Sequence, residues 1–253
     1  SELANEGRDL WLIEITGGIG QDCDDCIDYT FFNLTDVFVP ALLNGVLDFT
    51  GKDKIQYVGF SNGCRAALDS LERNKFESNK IETFVAVGCP GAFEGNSTLG
   101  SVIASRNRDI SKNLNSKNIN HPSLNQIIKN GLFDQNYISN NQETKISLNL
   151  FKFWEDIIIN KNDTQPGNIE VPNFVIVQGN ALTTDDGLIT VKDENAIYQN
   201  ANQNINPKKY FSIFALHTGL DTNNRAKSVI QKSINKQELN FYEKIVNLIN
   251  QSG

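Results

Sequence analysis

The sequence predicts an α/β protein in which a mostly parallel sheet is flanked by helices and the core is interrupted by an inserted, largely helical cap. Short apolar runs alternate with amphipathic helical patterns, which is typical of parallel strands joined by helical crossovers. A long Asn- and Ser-rich stretch separates the two halves of that pattern. We therefore assign residues 1–94 and 166–253 to the core and residues 95–165 to the cap.

The first half of the core reads as three strands with helices between them. Residues 10–15 form a nearly continuous apolar run that ends in a Gly-rich turn at residues 17–20, as expected of a buried parallel strand. A helix follows, with Asn33 or Thr35 available to cap it and Gly51 past its end. Residues 55–59 and 81–87 are the next two strands.

The second half returns to the sheet after the cap. Residues 171–178 and 210–216 are predicted strands, and residues 227–249 form a closing amphipathic helix. Within the cap, apolar residues recur at helical spacing, so short amphipathic helices are expected there. Phe151 and Trp154 belong to these apolar residues. They are candidates for binding an acyl chain, and the alternative is that they form the cap's own core.

Composition and charge exclude two classes of partner. The chain has 253 residues, of which 39% are hydrophobic and 21% charged, so it is large enough to bury a core. Its net charge of −7 offers a polyanion no attraction, and we expect no nucleic-acid partner. No run reaches the roughly 18 apolar residues of a bilayer span, so we expect a soluble chain without stable membrane insertion. No targeting segment is recognisable, and the compartment and oligomeric state stay open.

The cysteines and nearby acidic residues do not predict a metal centre. Cys23 and Cys26 are closely spaced, but no second close pair of Cys or His accompanies them, so we expect a local disulfide or two loop thiols rather than zinc. Several Asp residues surround this pair without the regular spacing of a calcium loop. We therefore expect a solvated acidic loop there and no metal ligands.

The segment Gly-Phe-Ser-Asn-Gly at residues 59–63 has the form G-x-S-x-G and lies where a buried strand ends and an Ala- and Leu-rich helix begins. In that setting a strained turn exposes the Ser hydroxyl above the sheet edge, so Ser61 is a candidate nucleophile. The alternative is that Ser61 only caps the helix. A nucleophilic Ser also needs a base and a carboxylate that orients the base.

His217 directly follows the last predicted strand and is the candidate base, whereas His121 precedes a Pro in the polar cap and reads as a surface residue. Asp185 and Asp186 compete for the orienting role after the preceding strand. We favour Asp186, because Gly187 and an apolar pair follow it and anchor its backbone on one side.

An oxyanion site needs two backbone N–H groups. One comes from the residue after the nucleophile, here Asn62, and the other from the Gly-rich turn after the first strand. Gly18 is our candidate in that turn, with Ile19 as the second choice. The alternative is an ordinary turn that ends a strand.

On residues 59–63, on Asp-Gly-Leu-Ile at 186–189 and on His-Thr-Gly-Leu at 217–220, the chain resembles the α/β-hydrolase family, in particular its compact lipases and esterases. The resemblance implies a minimal parallel-sheet core, Ser61 as nucleophile, His217 as general base and acid, Asp186 as orienter, and no cofactor. The expected activity is hydrolysis of a small-molecule or lipid carboxylic ester through an acyl-enzyme. The alternatives are an acyltransferase that uses the same residues and a non-catalytic hydrolase-like module of a larger protein.

Overall fold

A computed structural model of the chain describes most of the predicted core. The described residues are 2–13, 30–91, 169–181, 186–187, 189–201, 208–220 and 222–235. The predicted cap, residues 95–165, lies outside them.

In the described part of the chain, four strands form one sheet in the order β1-β2-β3-β4, and every neighbouring pair is parallel. The register places Val58 of β1 beside Val85 of β2, and Val177 of β3 beside Phe211 of β4. Because parallel strands end at the same edge of a sheet, the residues that follow the strands are brought together there. The strands are β1 (Ile55–Phe60), β2 (Ile81–Val87), β3 (Phe174–Gly179) and β4 (Lys208–Ile213).

Helices connect and cover these strands. A π-helical segment (Leu34–Phe38) joins α2 to α3, and 3₁₀ turns lie at Ser78–Lys80 and His217–Gly219. The α-helices are α1 (Glu2–Asn5), α2 (Phe31–Asn33), α3 (Val39–Thr50), α4 (Asn62–Glu72), α5 (Val191–Asn200) and α6 (Asn224–Ile234). Among the described residues, no helix has the length and apolar character needed to cross a membrane.

The helix after the N-terminal segment starts earlier than predicted. Thr30 is its N-cap and forms a capping box with Asn33, so neither Asn33 nor Thr35 is the capping residue. At the other end, Gly51 adopts the left-handed conformation at φ 63°, which confirms the predicted stop.

Both faces of the sheet are buried, because alternate residues of the central strands point into two different cores. Phe84 and Phe174 pack in one core with α3 and α4, whereas Val85 and Val175 pack in the other with α6. Burial on both faces explains why these strands read as continuous apolar runs rather than as alternating patterns.

The prediction of a first strand at residues 10–15 is wrong for its described part. Residues 10–13 carry no regular secondary structure, and Leu12 is 97% exposed. An apolar segment forms a strand only if a neighbouring strand pairs with it. Residues 10–13 have no such partner among the described residues, since every described pairing of β1 is with β2. Glu14 and Ile15 lie outside the described residues.

Helix α4 carries a buried charged cluster that the sequence pattern did not reveal. Arg65 forms an ion pair with Asp69 at 2.7 Å, and its Nη1 also donates to the carbonyls of Pro90 and Gly91. Burial raises the pKa of Asp69, and it raises the pKa of Glu72 well above the usual value. Through Arg65, α4 is tied to the turn that follows β2.

Candidate active site

Ser61 lies in the sharp turn between β1 and α4, and its backbone is strained. Its φ of 50° and ψ of −122° are unusual for a residue with a side chain. The turn is held by the Ser61 amide, which donates to the carbonyl of Val87 in β2, and by the amide of Arg65, which donates to the Ser61 carbonyl. The strained conformation is therefore fixed by the sheet on one side and by the helix on the other.

Gly59 and Gly63, on either side of this turn, differ in whether a side chain would fit at their positions. A Cβ on Gly59 would lie 2.6 Å from the Cα of Cys64, so no side chain fits between β1 and α4. At Gly63, in contrast, the nearest atom to such a Cβ is the hydroxyl oxygen of Tyr57 at 4.0 Å. That hydroxyl donates to the Gly63 carbonyl at 2.9 Å. A steric requirement for glycine thus exists at residue 59 and not at residue 63.

Three of the predicted site residues meet at the edge of the sheet. The Nε2 of His217 lies 2.9 Å from the Oγ of Ser61, and its Nδ1 lies 2.7 Å from the Oδ2 of Asp186. His217 and Asp186 are buried, with 6% and 1% of their surfaces exposed. The imidazole therefore bridges a hydroxyl and a carboxylate that are far apart in the sequence.

Asp186 is held by hydrogen bonds on several of its atoms. Its Oδ1 accepts from the amide of Ile189 at 2.6 Å, and its carbonyl accepts from the amide of His217 at 2.8 Å. Gly187 follows with φ 97°, a conformation that favours glycine. The sequence favours Asp186 because the apolar pair that follows it can pack in the core. Ile189, the second residue of that pair, is buried. Asp185 lies outside the described residues.

The imidazole of His217 is packed between an aromatic ring and a backbone turn. Phe60 stacks on it, with ring centroids 5.1 Å apart and planes at 30°. Gly88, at φ 53°, lies so close that an added Cβ would be 3.1 Å from the Nδ1 and Cε1 atoms of the ring. The ring is thus confined to the plane in which its two nitrogens reach Ser61 and Asp186.

When the Asp186 carboxylate accepts a hydrogen bond from the Nδ1–H group of His217, Nε2 is left as the acceptor for the Ser61 hydroxyl. In this tautomer the Ser61 proton points at a group that can receive it. The arrangement is chemically suited to raising the nucleophilicity of the Ser61 oxygen.

At the turn that follows β2 lie two features that sequence reasoning missed. Cys64 of α4 is bonded to Cys89 of the turn after β2. The backbone amide of Cys89 donates to the Oε1 of Glu194 at 2.8 Å. Burial, followed by the charge of Asp186, raises the pKa of Glu194 well above its usual value. No short sequence spacing indicates the disulfide, and an acidic residue on a helix normally indicates a solvated face.

Asn62 is the first residue of α4, where amides have no partner within the helix itself. The remaining predicted site residues, Gly18, Phe151, Trp154 and the disfavoured His121, lie outside the described residues, as do Cys23, Cys26 and the acidic loop around them. Among the described residues, no group of three His, Cys, Asp or Glu side chains is placed to hold a metal ion.

Comparison with known proteins identifies the fold. No protein-family model matches the chain. The gastric triacylglycerol lipase of Rattus norvegicus is 29% identical over 93 residues, a segment that covers 34% of this chain and only 24% of the lipase. The crystal structure of a putative lipase from Acinetobacter baumannii has 14% identity and a TM-score of 0.51, with 89% of this chain and 71% of that chain covered.

An epoxide hydrolase from Bacillus megaterium has 11% identity and a TM-score of 0.54, with 82% of this chain and 78% of that chain covered. An esterase from Exiguobacterium antarcticum has 12% identity and a TM-score of 0.50, with coverages of 81% and 76%. Together with the parallel sheet and the Ser-bearing turn after β1, these similarities show that the chain has the α/β-hydrolase fold.

Proposed function

We propose that the chain is a serine hydrolase that cleaves carboxylic esters through an acyl-enzyme intermediate. The observation that carries the proposal is the continuous contact from Ser61 through His217 to Asp186, at 2.9 and 2.7 Å, built on a strained turn. Such a combination of strain and ordered hydrogen bonds is costly to maintain, and it is typical of functional sites.

In the first step of the proposed reaction, the Oγ of Ser61 attacks the ester carbonyl while His217 Nε2 takes the hydroxyl proton. The carbonyl double bond becomes a single bond, and its oxygen carries the negative charge. The proposed donors to that oxygen are the backbone amides of Asn62 and Gly18. Asp186 stabilises the imidazolium that His217 has become.

The tetrahedral intermediate then collapses. The bond from the carbonyl carbon to the alcohol oxygen breaks, His217 gives its proton to the leaving alcohol, and the acyl group remains on Ser61. Water repeats the sequence with His217 as base, which releases the acid and restores the Ser61 hydroxyl. Every proton that leaves the imidazole is one that it had accepted in the same half-reaction.

For the substrate we propose a lipid or another medium-chain acyl ester, with Phe151 and Trp154 of the cap contacting the acyl chain. The support is the apolar character of that part of the sequence, together with the names of similar proteins, which include a triacylglycerol lipase and an esterase. An acyltransferase would use the same residues, and it differs only in the acceptor that replaces water.

The test is labelling with a fluorophosphonate, which forms a covalent bond with an activated Ser oxygen. We expect modification of Ser61 alone, loss of labelling in Ser61→Ala, and turnover of p-nitrophenyl esters by the unmodified chain. His217→Ala is expected to reduce turnover by several orders of magnitude, whereas His121→Ala serves as the control and leaves it unchanged. A well-folded chain that is not labelled at Ser61 would overturn the proposal in favour of a non-catalytic module.

A further inference from the structure

We infer that Glu194 is a positioning residue of the candidate active site, which holds the turn at Gly88 and Cys89 against the imidazole of His217 through its hydrogen bond to the Cys89 amide. Glu194 does not touch Ser61 or His217 in the contacts described above. It acts on His217 through the backbone of this turn, and the inference rests on the proposed hydrolase function of the site.

The first step of the argument is the position of the turn. Gly88 backs the imidazole so closely that even a methyl group there would lie 3.1 Å from the ring. Its amide donates to the carbonyl of Val177, which anchors the turn to β3 on one side. A shift of the turn by a fraction of an ångström toward or away from the ring would therefore change where the imidazole sits.

The second step is the contact that fixes the next residue. The Cys89 amide donates to Glu194 Oε1 at 2.8 Å, and Glu194 is fully buried in helix α5. Cys89 is also bonded to Cys64, three residues after Ser61. Cys89 is thus linked to α4 by the disulfide and to α5 by Glu194, which accepts a hydrogen bond from its amide, and it directly follows the residue that lies against the imidazole.

The third step is the chemical state of Glu194. Its Oε2 is buried and has no hydrogen-bond partner among the described residues. The charged groups that act on it are both negative, Asp186 and Asp193. The cation that contacts the same turn, Arg65, is paired with Asp69. Burial, followed by the charge of Asp186, raises the pKa of Glu194 well above its usual value and so favours the neutral acid.

A glutamine side chain could accept the hydrogen bond from the Cys89 amide as well as the carboxyl of Glu194 does. A buried carboxyl is the less favourable acceptor, because it has a pKa that burial shifts and the neutral amide does not. Below about pH 4.5 the carboxyl is protonated in both folded and unfolded chains. As the pH rises further, the unfolded chain ionises while the folded chain resists, and stability is lost. The ionisable carboxyl therefore costs stability above about pH 4.5, and what Glu194 supplies to the site is its acceptor oxygen, which Glu194→Gln keeps.

The test compares two substitutions of nearly equal volume in the full chain. Glu194→Gln keeps an oxygen that can accept from the Cys89 amide, whereas Glu194→Met fills the same space without a comparable acceptor. We expect Glu194→Met to lower kcat by about 10- to 100-fold with little change in KM. Glu194→Gln is expected to restore kcat to within about threefold of the original chain.

The matched control is Glu72→Gln, since Glu72 is also a buried acid whose pKa is raised well above the usual value. It lies eleven residues beyond Ser61 along α4, about 16 Å away along the helix axis. We expect this change to alter stability without altering kcat. A purely structural role for Glu194 would give the same result as the control, with only the melting temperature changed, and would overturn the inference.

A second readout does not depend on ester hydrolysis. The chain has two His, so the Nδ1 proton of His217 is assigned by NMR with the aid of His121→Gln. We expect its resonance to move in Glu194→Met and to return in Glu194→Gln. An unmoved resonance would refute positioning by Glu194. If no ester is hydrolysed by the original chain but the resonance responds as expected, the proposed function fails and the positioning role stands.

If Glu194→Met does not fold, the experiment is replaced by a measurement of hydrogen exchange at the Cys89 amide in the original chain. We expect slow exchange that persists in Glu194→Gln, because the donor stays paired in both. Exchange as fast as in an open loop would contradict the hydrogen bond on which the inference rests.

Discussion

Replacing Asp186 with asparagine removes a charge from the candidate active site while keeping the shape of the side chain. Both carboxylate oxygens face a donor: Oδ1 accepts from the Ile189 amide at 2.6 Å, and Oδ2 lies 2.7 Å from His217 Nδ1. An asparagine has one oxygen and one NH₂ group for these two positions. One of the two contacts must therefore change.

The Asn side chain has two orientations. If its NH₂ faces Ile189, two donors oppose each other and a buried amide is left unpaired, at a cost of about 1–3 kcal/mol. If its NH₂ faces His217, Nδ1 becomes the acceptor and the proton moves to Nε2, which then points at Ser61. The second orientation satisfies every group and is favoured, but its imidazole cannot accept the Ser61 proton.

We expect Asp186→Asn to lower kcat for a p-nitrophenyl ester by about 10⁴-fold, the loss produced by the wrong tautomer in serine proteases. This corresponds to about 5.4 kcal/mol of transition-state stabilisation. The measurement is turnover per mole of folded chain, with folding checked by circular dichroism. Asp185→Asn is the matched control and is expected to stay within about threefold. A loss below tenfold at Asp186, or equal losses at both positions, would refute the reasoning.

Three further predictions concern the turn, the disulfide and the cap. Gly59→Ala forces a Cβ to within 2.6 Å of backbone and is expected to cost about 3 kcal/mol in unfolding experiments. Gly45→Ala, with nothing within 4 Å, is the control and is expected to stabilise its helix by up to about 1 kcal/mol; similar effects at both positions would contradict the steric argument. Replacing Cys64 and Cys89 together by Ala removes a cross-link over a separation of 25 residues. We expect a loss of about 3.5 kcal/mol and a melting temperature lower by about 10 °C, and an unchanged melting temperature would mean that the bond does not constrain the unfolded chain. If the cap binds acyl chains, kcat/KM rises about fourfold per methylene until the pocket is filled, and Trp154→Ala flattens the rise while sparing acetate esters; a profile that favours acetate would exclude this role.

Much of the sheet could be predicted from the sequence, because buried parallel strands have a clear signature. Residues 81–87 were predicted as a strand and are β2, and the predicted strand at residues 55–59 differs from β1 by one residue at its end. Predicted boundaries were less accurate at residues 171–178 and 210–216, where the observed strands are Phe174–Gly179 and Lys208–Ile213. His217 consequently lies in a 3₁₀ turn four residues beyond β4, and not directly at its end.

Other features depend on contacts that a linear pattern does not contain. Helix α5 was not predicted, since its sequence alternates charged, polar and apolar residues without a wide apolar stripe. The closing helix is observed as Asn224–Ile234, and the predicted residues after 235 lie outside the described part. Charged side chains are normally exposed, and only the three-dimensional packing reveals that Arg65, Asp69 and Glu194 are buried.

The connection between β2 and β3 has a consequence for how the chain folds and how its length can vary. Val87 and Val177 are paired neighbours in the sheet, so their pairing closes a loop of the 89 residues from 88 to 176. Closure entropy grows only logarithmically, and doubling such a loop would cost about 0.6 kcal/mol. The pairing of β2 with β3 is therefore expected to be late in folding, because the contact is non-local. By the same argument, a change in the length of this connection alters the closure entropy little, whereas a single methyl group at Gly59, near the end of β1, would lie 2.6 Å from the Cα of Cys64.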